Sequence, residues 1–121
     1  MAWLKNRFRY AFAGVRYGLF HDKSIRFQAL AGLCAVLAGF VFKIGLHEWL
    51  WVLLSIALVL MAEIFNSCLE KTIDYISLER NPQARLVKDM AAAAVLVVSC
   101  FAFIVALAVF GPPFIEWCKS F

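Results

Sequence analysis

The stretch WLWVLLSIALVLMAEIFNSCLEKTID, residues 49–74, decides the fold. Residues 49–62 are apolar apart from Ser55, and the run then meets Glu63. Fourteen residues, thirteen of them apolar, are too few to cross a bilayer, which asks for about 20 in a helix. The segment reaches that length only by continuing through residues 63–70, which places polar groups at or just inside the membrane boundary. Those groups are Glu63, Asn66, Ser67, Glu70 and Asp74. Their spacing of i, i+3, i+4, i+7 and i+11 puts them on one narrow stripe of a helix. Ile64, Phe65, Leu69 and Ile73 keep the opposite face apolar. The pattern is that of a membrane helix with an ionisable edge. Ionisable groups at membrane depth are costly, so they point to function.

The rest of the chain agrees. It has 121 residues, one unit's worth, and is 64% hydrophobic. Its mean hydropathy of +0.83 lies far above that of soluble domains. Two further apolar segments occupy residues 29–42 and 90–110, the second ending at Gly111-Pro112-Pro113. The predicted spans are residues 27–46, 49–70 and 89–110, joined by a short turn at 43–48 and a polar loop near 78–83. Residues 3–22 interleave Lys5, Arg7, Arg9 and Arg16 with Trp3, Phe8, Tyr10, Phe12 and Tyr17. They lack the apolar core and cleavage site of a secretory signal. An amphipathic helix on the membrane surface is expected there. The expected architecture is therefore all-α and integral to the membrane: one surface helix and three transmembrane helices in a single unit of residues 1–121.

Charge sets an expected orientation. Ten cations lie before the first span or between the second and third: Lys5, Arg7, Arg9, Arg16, Lys23, Arg26, Lys71, Arg80, Arg85 and Lys88. Only Lys43 and Lys119 lie on the other side. The positive-inside rule then predicts a cytoplasmic N-terminus and an outside C-terminus. It also accounts for the net charge of +4 without nucleic acid. Cys34, Cys68, Cys100 and Cys118 form no CxxC pair and read as small apolar core residues.

Three acids on one stripe repel unless a cation joins them, and magnesium prefers such oxygen ligands. Asp22 falls on the same side and is placed to supply a carboxylate beside Glu70. Lys88 and Asp89 open the third span there, and a lysine neutralises phosphate. Glu63 is the deepest acid, where a hydroxyl arriving from the lipid would meet a base. Metal, cation and base are the parts of phosphoryl transfer. The stripe alone also allows a proton or cation transport relay, or a purely structural polar seam. No Walker motif, GxGxxG or kinase catalytic loop is present, which excludes the soluble kinase folds. Three thin helices shield so many acids poorly, which predicts self-association.

Glu63-x-x-Asn66-Ser67-x-x-Glu70-x-x-x-Asp74, followed by Lys88-Asp89-x-Ala-Ala-Ala-Ala-Val-Leu, resembles the signature of the prokaryotic diacylglycerol kinase family, which includes undecaprenol kinases. The resemblance runs from about residue 8 to 110. It implies a homotrimer of three-span protomers in the bacterial inner membrane. It also implies transfer of the ATP γ-phosphate to a lipid hydroxyl with magnesium as cofactor. Residue by residue, it implies that Glu63 is the catalytic base and that Glu70 and Asp22 are metal ligands. Tyr10, Asp22, Glu70, Glu79, Arg80, Asn81, Lys88 and Asp89 are nucleotide-side residues by the same likeness. Asn66, Ser67 and Asp74 are implied to support the site. Arg16 and Arg26 serve as anchors at the membrane surface or as phosphate contacts. Two departures stand out. Asp22 is a methylene shorter than the usual glutamate, and Glu79-Arg80-Asn81 replaces an acidic-aromatic-histidine run. The turn His47-Glu48-Trp49 and the Phe-Gly-Pro-Pro exit look more like the undecaprenol branch, with diacylglycerol as the alternative acceptor.

Overall fold

The computed structural model describes residues 1–76 and 81–121. Its elements are four helices: α1 (Ala2–His21), α2 (Lys23–Phe42), α3 (Leu46–Ile76) and α4 (Pro82–Lys119). The last three are each long and apolar enough to cross a membrane. Helix α3 runs six residues past the predicted end of its span, carrying the polar stripe with it.

Local chemistry sets the breaks. Asp22 separates α1 from α2 with extended backbone and caps α2, its Oδ1 accepting from the amides of Ser24 (2.9 Å) and Ile25 (3.2 Å). A short side chain that bonds the first free amides is what an N-cap requires. At the other end Lys43 takes the left-handed conformation (φ 52°), and the Ile44 amide donates to the Gly39 carbonyl at 3.2 Å. This closure ends α2 at Phe42, four residues short of the predicted span end. A side chain in that conformation costs about 1 kcal/mol. Asn81 caps α4 by accepting from the Gln83 amide at 2.9 Å, with Pro82 in the first turn, where its missing N–H is harmless.

Gly111-Pro112-Pro113 ends the third apolar segment but not the helix, which continues through both prolines to Lys119. Proline's fixed φ suits a helix, and what is lost is the pair of amide donors to the carbonyls one turn back.

α3 lies along α4, with α2 against both and α1 touching chiefly α2. The buried core sits toward the α2–α3 turn: Ile44, Val52, Val105 and Val109, flanked by Phe42, Trp49 and Phe110. Glycine permits the closest approach here, since a Cβ on Gly39 would stand 2.6 Å from the Trp49 ring. The four cysteines are all free and exposed, so the reading of them as core residues is corrected. They lie on faces that the chain itself leaves uncovered.

Candidate active site

The elbow between α1 and α2 meets the second half of α3. Ser67 donates its hydroxyl to Asp22 Oδ2, joining segments 45 residues apart. Glu63 lies one turn earlier on α3 and is only 6% exposed, the one buried acid among the described residues. The Gln28 amide of α2 approaches its carboxyl, and Asp22 and Glu70 are close enough to act on it electrostatically. Asn66 donates to Glu70 Oε1 at 3.4 Å, while its own Oδ1 is buried without a partner. Asp22, Glu63, Asn66, Ser67 and Glu70, all singled out from the sequence, thus come together.

Asp22 is under opposing influences. Its partial burial disfavours the charge. The Ser67 hydroxyl, the two capping amides and the nearby Lys71 ammonium outweigh that, and the carboxyl sits below its usual 3.8. It accepts three hydrogen bonds, so about one of its four lone-pair sites remains open.

Other predicted residues are placed differently. Lys88 is paired with Asp74 at 2.6 Å, and Asp89 with Arg85 at 3.2 Å, so both are engaged beside the cluster. The Asn81 side chain is committed to its cap. Arg26 turns back to the Phe20 carbonyl (3.0 Å), and Arg16 lies over the Phe20 ring. Tyr10 is exposed and sits three turns up α1 from Asp22, under Arg9. The chain alone does not bring it to the cluster. Glu79 and Arg80 lie outside the described residues.

Two residues escaped the sequence reading. Gln28 faces Glu63, and its signal was a lone amide at the start of an apolar span. Lys71 donates to the Tyr17 hydroxyl at 3.2 Å and lies over the Tyr17 ring, which itself stacks on His21. Its position directly after Glu70 was visible, but its reach to α1 was not.

Fold and cluster together define first a class: a small integral membrane protein that gathers acids, amides, a hydroxyl and lysines at one end of its spans. Such equipment suits an intramembrane enzyme as it would a transport relay. The profile of the family described as prokaryotic diacylglycerol kinase matches residues 9–110. The undecaprenol kinase of Bacillus subtilis is 30% identical over 111 residues, covering 88% of this chain and 90% of the relative. The diacylglycerol kinase of Escherichia coli K12 is 30% identical over 109 residues, covering 90% and 80%. That of Helicobacter pylori is 41% identical over 68 residues, about half of each chain. The chain belongs to the prokaryotic diacylglycerol kinase family and is a lipid kinase. Membership implies ATP as phosphate donor and a lipid as acceptor. Family membership makes the protein a lipid kinase in place of a transporter or a purely structural subunit.

Proposed function

We propose that this kinase transfers the γ-phosphate of ATP to the hydroxyl of undecaprenol, with Glu63 as the general base. The observation that carries this is the burial of Glu63 at the lipid end of a polar cluster whose other acids are more open. Glu63 accepts the acceptor's proton as its oxygen bonds the γ-phosphorus. The bond from that phosphorus to the β–γ bridging oxygen breaks, and ADP leaves. No enzyme-bound intermediate is needed, and most of the rate comes from positioning and charge neutralisation.

Magnesium fits the donors present. Among the described residues no three His, Cys, Asp or Glu side chains converge on a cation site. Magnesium in phosphoryl-transfer sites takes one or two carboxylates and fills its shell with phosphate and water. Glu70 and the open position on Asp22 supply these, and the unpartnered Asn66 carbonyl is a further hard oxygen. Bound there, the ion would neutralise charge on the transferring phosphate. Lys88 and Asp89, with Tyr10, Glu79, Arg80 and Asn81, belong to the nucleotide side. Asn66, Ser67 and Asp74 orient the cluster, and Arg16 and Arg26, both held against Phe20, serve as surface anchors or phosphate contacts.

The working form in this reading is a homotrimer in the bacterial inner membrane, with the N-terminus cytoplasmic and the C-terminus outside. Helix α1, with basic and aromatic residues and no acid, lies as an amphipathic helix on the cytoplasmic surface. Diacylglycerol is the alternative acceptor, favoured by the diacylglycerol kinase of E. coli at the same identity. Undecaprenol is preferred because the alignment covers more of the undecaprenol kinase.

The test is transfer of labelled γ-phosphate in mixed micelles, with undecaprenol and diacylglycerol offered separately, with and without magnesium. Magnesium-dependent labelling of undecaprenol supports the proposal. Labelling of diacylglycerol alone moves the acceptor. Labelling of neither defeats both.

A further inference from the structure

The last turns of α1 carry a contact that the acid cluster does not use. Lys71 Nζ donates to the Tyr17 hydroxyl at 3.2 Å and lies 5.1 Å from the centre of the Tyr17 ring. That ring stacks on His21, with centroids 4.3 Å apart and 13° between the planes. His21 Nδ1 donates to the Tyr17 carbonyl at 3.1 Å, which holds the stack in place. A lysine near a membrane boundary ordinarily stretches its stem toward water. Lys71 instead folds over an aromatic face on another helix, where ring and hydroxyl both favour its charge.

Helix geometry gives this contact a place. Glu63, Asn66 and Glu70 share one row of α3, and Ser67 and Lys71, four residues apart, form the next. The first row belongs to the cluster. The second grips the α1–α2 elbow: Ser67 donates to Asp22, and Lys71 to Tyr17, just over one turn earlier. The elbow itself is tight. The Asp22 amide donates to the Gly18 carbonyl at 2.9 Å, and a Cβ on Gly18 would stand 2.9 Å from Ile25 Cδ1. Tyr17, Gly18 and Asp22 therefore move together, and whatever seats Tyr17 also seats Asp22.

Two roles for Lys71 make opposite predictions. Its ammonium acts on Asp22 electrostatically. As a bare charge it would repel an arriving dication, and its removal would tighten metal binding. As a tie on the elbow it would hold Asp22 in register with Glu70, and its removal would loosen metal binding. The contacts are those of a tie: the ammonium is spent on Tyr17, and among the described residues it forms no ion pair with a carboxylate.

We propose that Lys71 is a positioning residue, which through Tyr17 seats the α1–α2 elbow on α3 and so sets the spacing of Asp22 and Glu70 for magnesium. The assignment rests on the kinase reading above and adds to it a residue that acts on the metal site through another helix.

The experiment uses the full chain in phosphatidylcholine nanodiscs, with Mn2+ as a paramagnetic substitute for magnesium, with and without a non-hydrolysable ATP analogue. Lys71→Met should weaken Mn2+ binding about tenfold, the scale of loss when a group that orients a ligand is removed. It should also speed hydrogen exchange along residues 14–21. Lys71→Arg should restore both, because a guanidinium also serves a phenol and its ring. Tyr17→Leu should match Lys71→Met, and the double variant should bind no more weakly than either. Should Lys71→Met fail to fold, Tyr17→Phe keeps the ring, removes the hydroxyl and should weaken binding about threefold. Unchanged binding in Tyr17→Phe then overturns the proposal. Tighter or unchanged Mn2+ binding in Lys71→Met overturns it, as does unchanged exchange in α1. So does a double variant whose loss combines both single losses, because Lys71 would then act on the site directly. Mn2+ binding that follows these expectations, without phosphate transfer to any lipid, leaves the positioning role standing and removes the kinase reading instead.

Discussion

Toward the α2–α3 turn, Ile44, Val52, Val105 and Val109 interlock with aromatic neighbours and a helix approach that only glycine allows. Toward the α1–α2 elbow, the same helices are joined through a hydroxyl on a carboxylate, a lysine on a phenol and an ion pair. The first region loses little when water is absent. The second keeps charges that the membrane would exclude, and each is tolerated because a neighbour answers it. A partition of this kind leaves one end to hold the bundle and the other free to exchange its partners for substrates.

The sharpest way to break the comparison is Glu63→Gln. It keeps the shape and removes the base, so turnover should fall by about 10²–10⁴. ATP binding and melting temperature should stay near wild type, read by labelled transfer and nucleotide titration. Retained turnover would remove the base assignment. At the packed end, Gly39→Val forces a side chain into the Trp49 ring and should cost about 1–3 kcal/mol of stability, seen as a lower melting temperature. The KM for ATP of the folded fraction should not change. A shift in that KM would show the two ends to be coupled.

Asp22 allows a finer cut, because it is both cap and candidate ligand. Asp22→Ala should lose the cap, about 1 kcal/mol, together with magnesium-dependent activity. Asp22→Asn should keep the cap, lose the activity and give up only the stability due to the charge. Because its folded pKa lies below 3.8, the stability due to the Asp22 charge is complete above that value. It is lost as pH falls through the lower folded value. Wild type and Asp22→Asn should therefore differ in melting temperature at neutral pH and converge in acid. A small stability effect is expected for Lys88→Met, whose half-exposed pairing with Asp74 contributes at most about 1 kcal/mol. Its KM for ATP should nonetheless rise.

Spacing alone made the stripe on α3 legible, since Glu63, Asn66, Ser67 and Glu70 needed only helical periodicity to share a face. The contact of Ser67 with Asp22 was not legible, because it depends on how a helix elbow docks against a residue far away in the chain. The same limit hid Gln28 and Lys71. Asp22 was read as a ligand from its side of the membrane and its likeness to a glutamate position, yet its short side chain also suits the cap it provides. Gly111-Pro112-Pro113 looked like an exit, but proline interrupts hydrogen bonds more surely than it interrupts a helical path.

Those prolines have a further consequence. Without their amides, the carbonyls of Ala108 and Val109 lack the usual donors, and inside hydrocarbon that deficit is severe. In a bilayer, water would meet it most readily, so the pair is expected near a waterline on α4. Counting back about 20 residues, the thickness of a hydrocarbon core, reaches Lys88 and Asp89, where the opposite waterline would fall. On this placement the helix would carry a draught mark at each end, with the acid cluster riding at one of them.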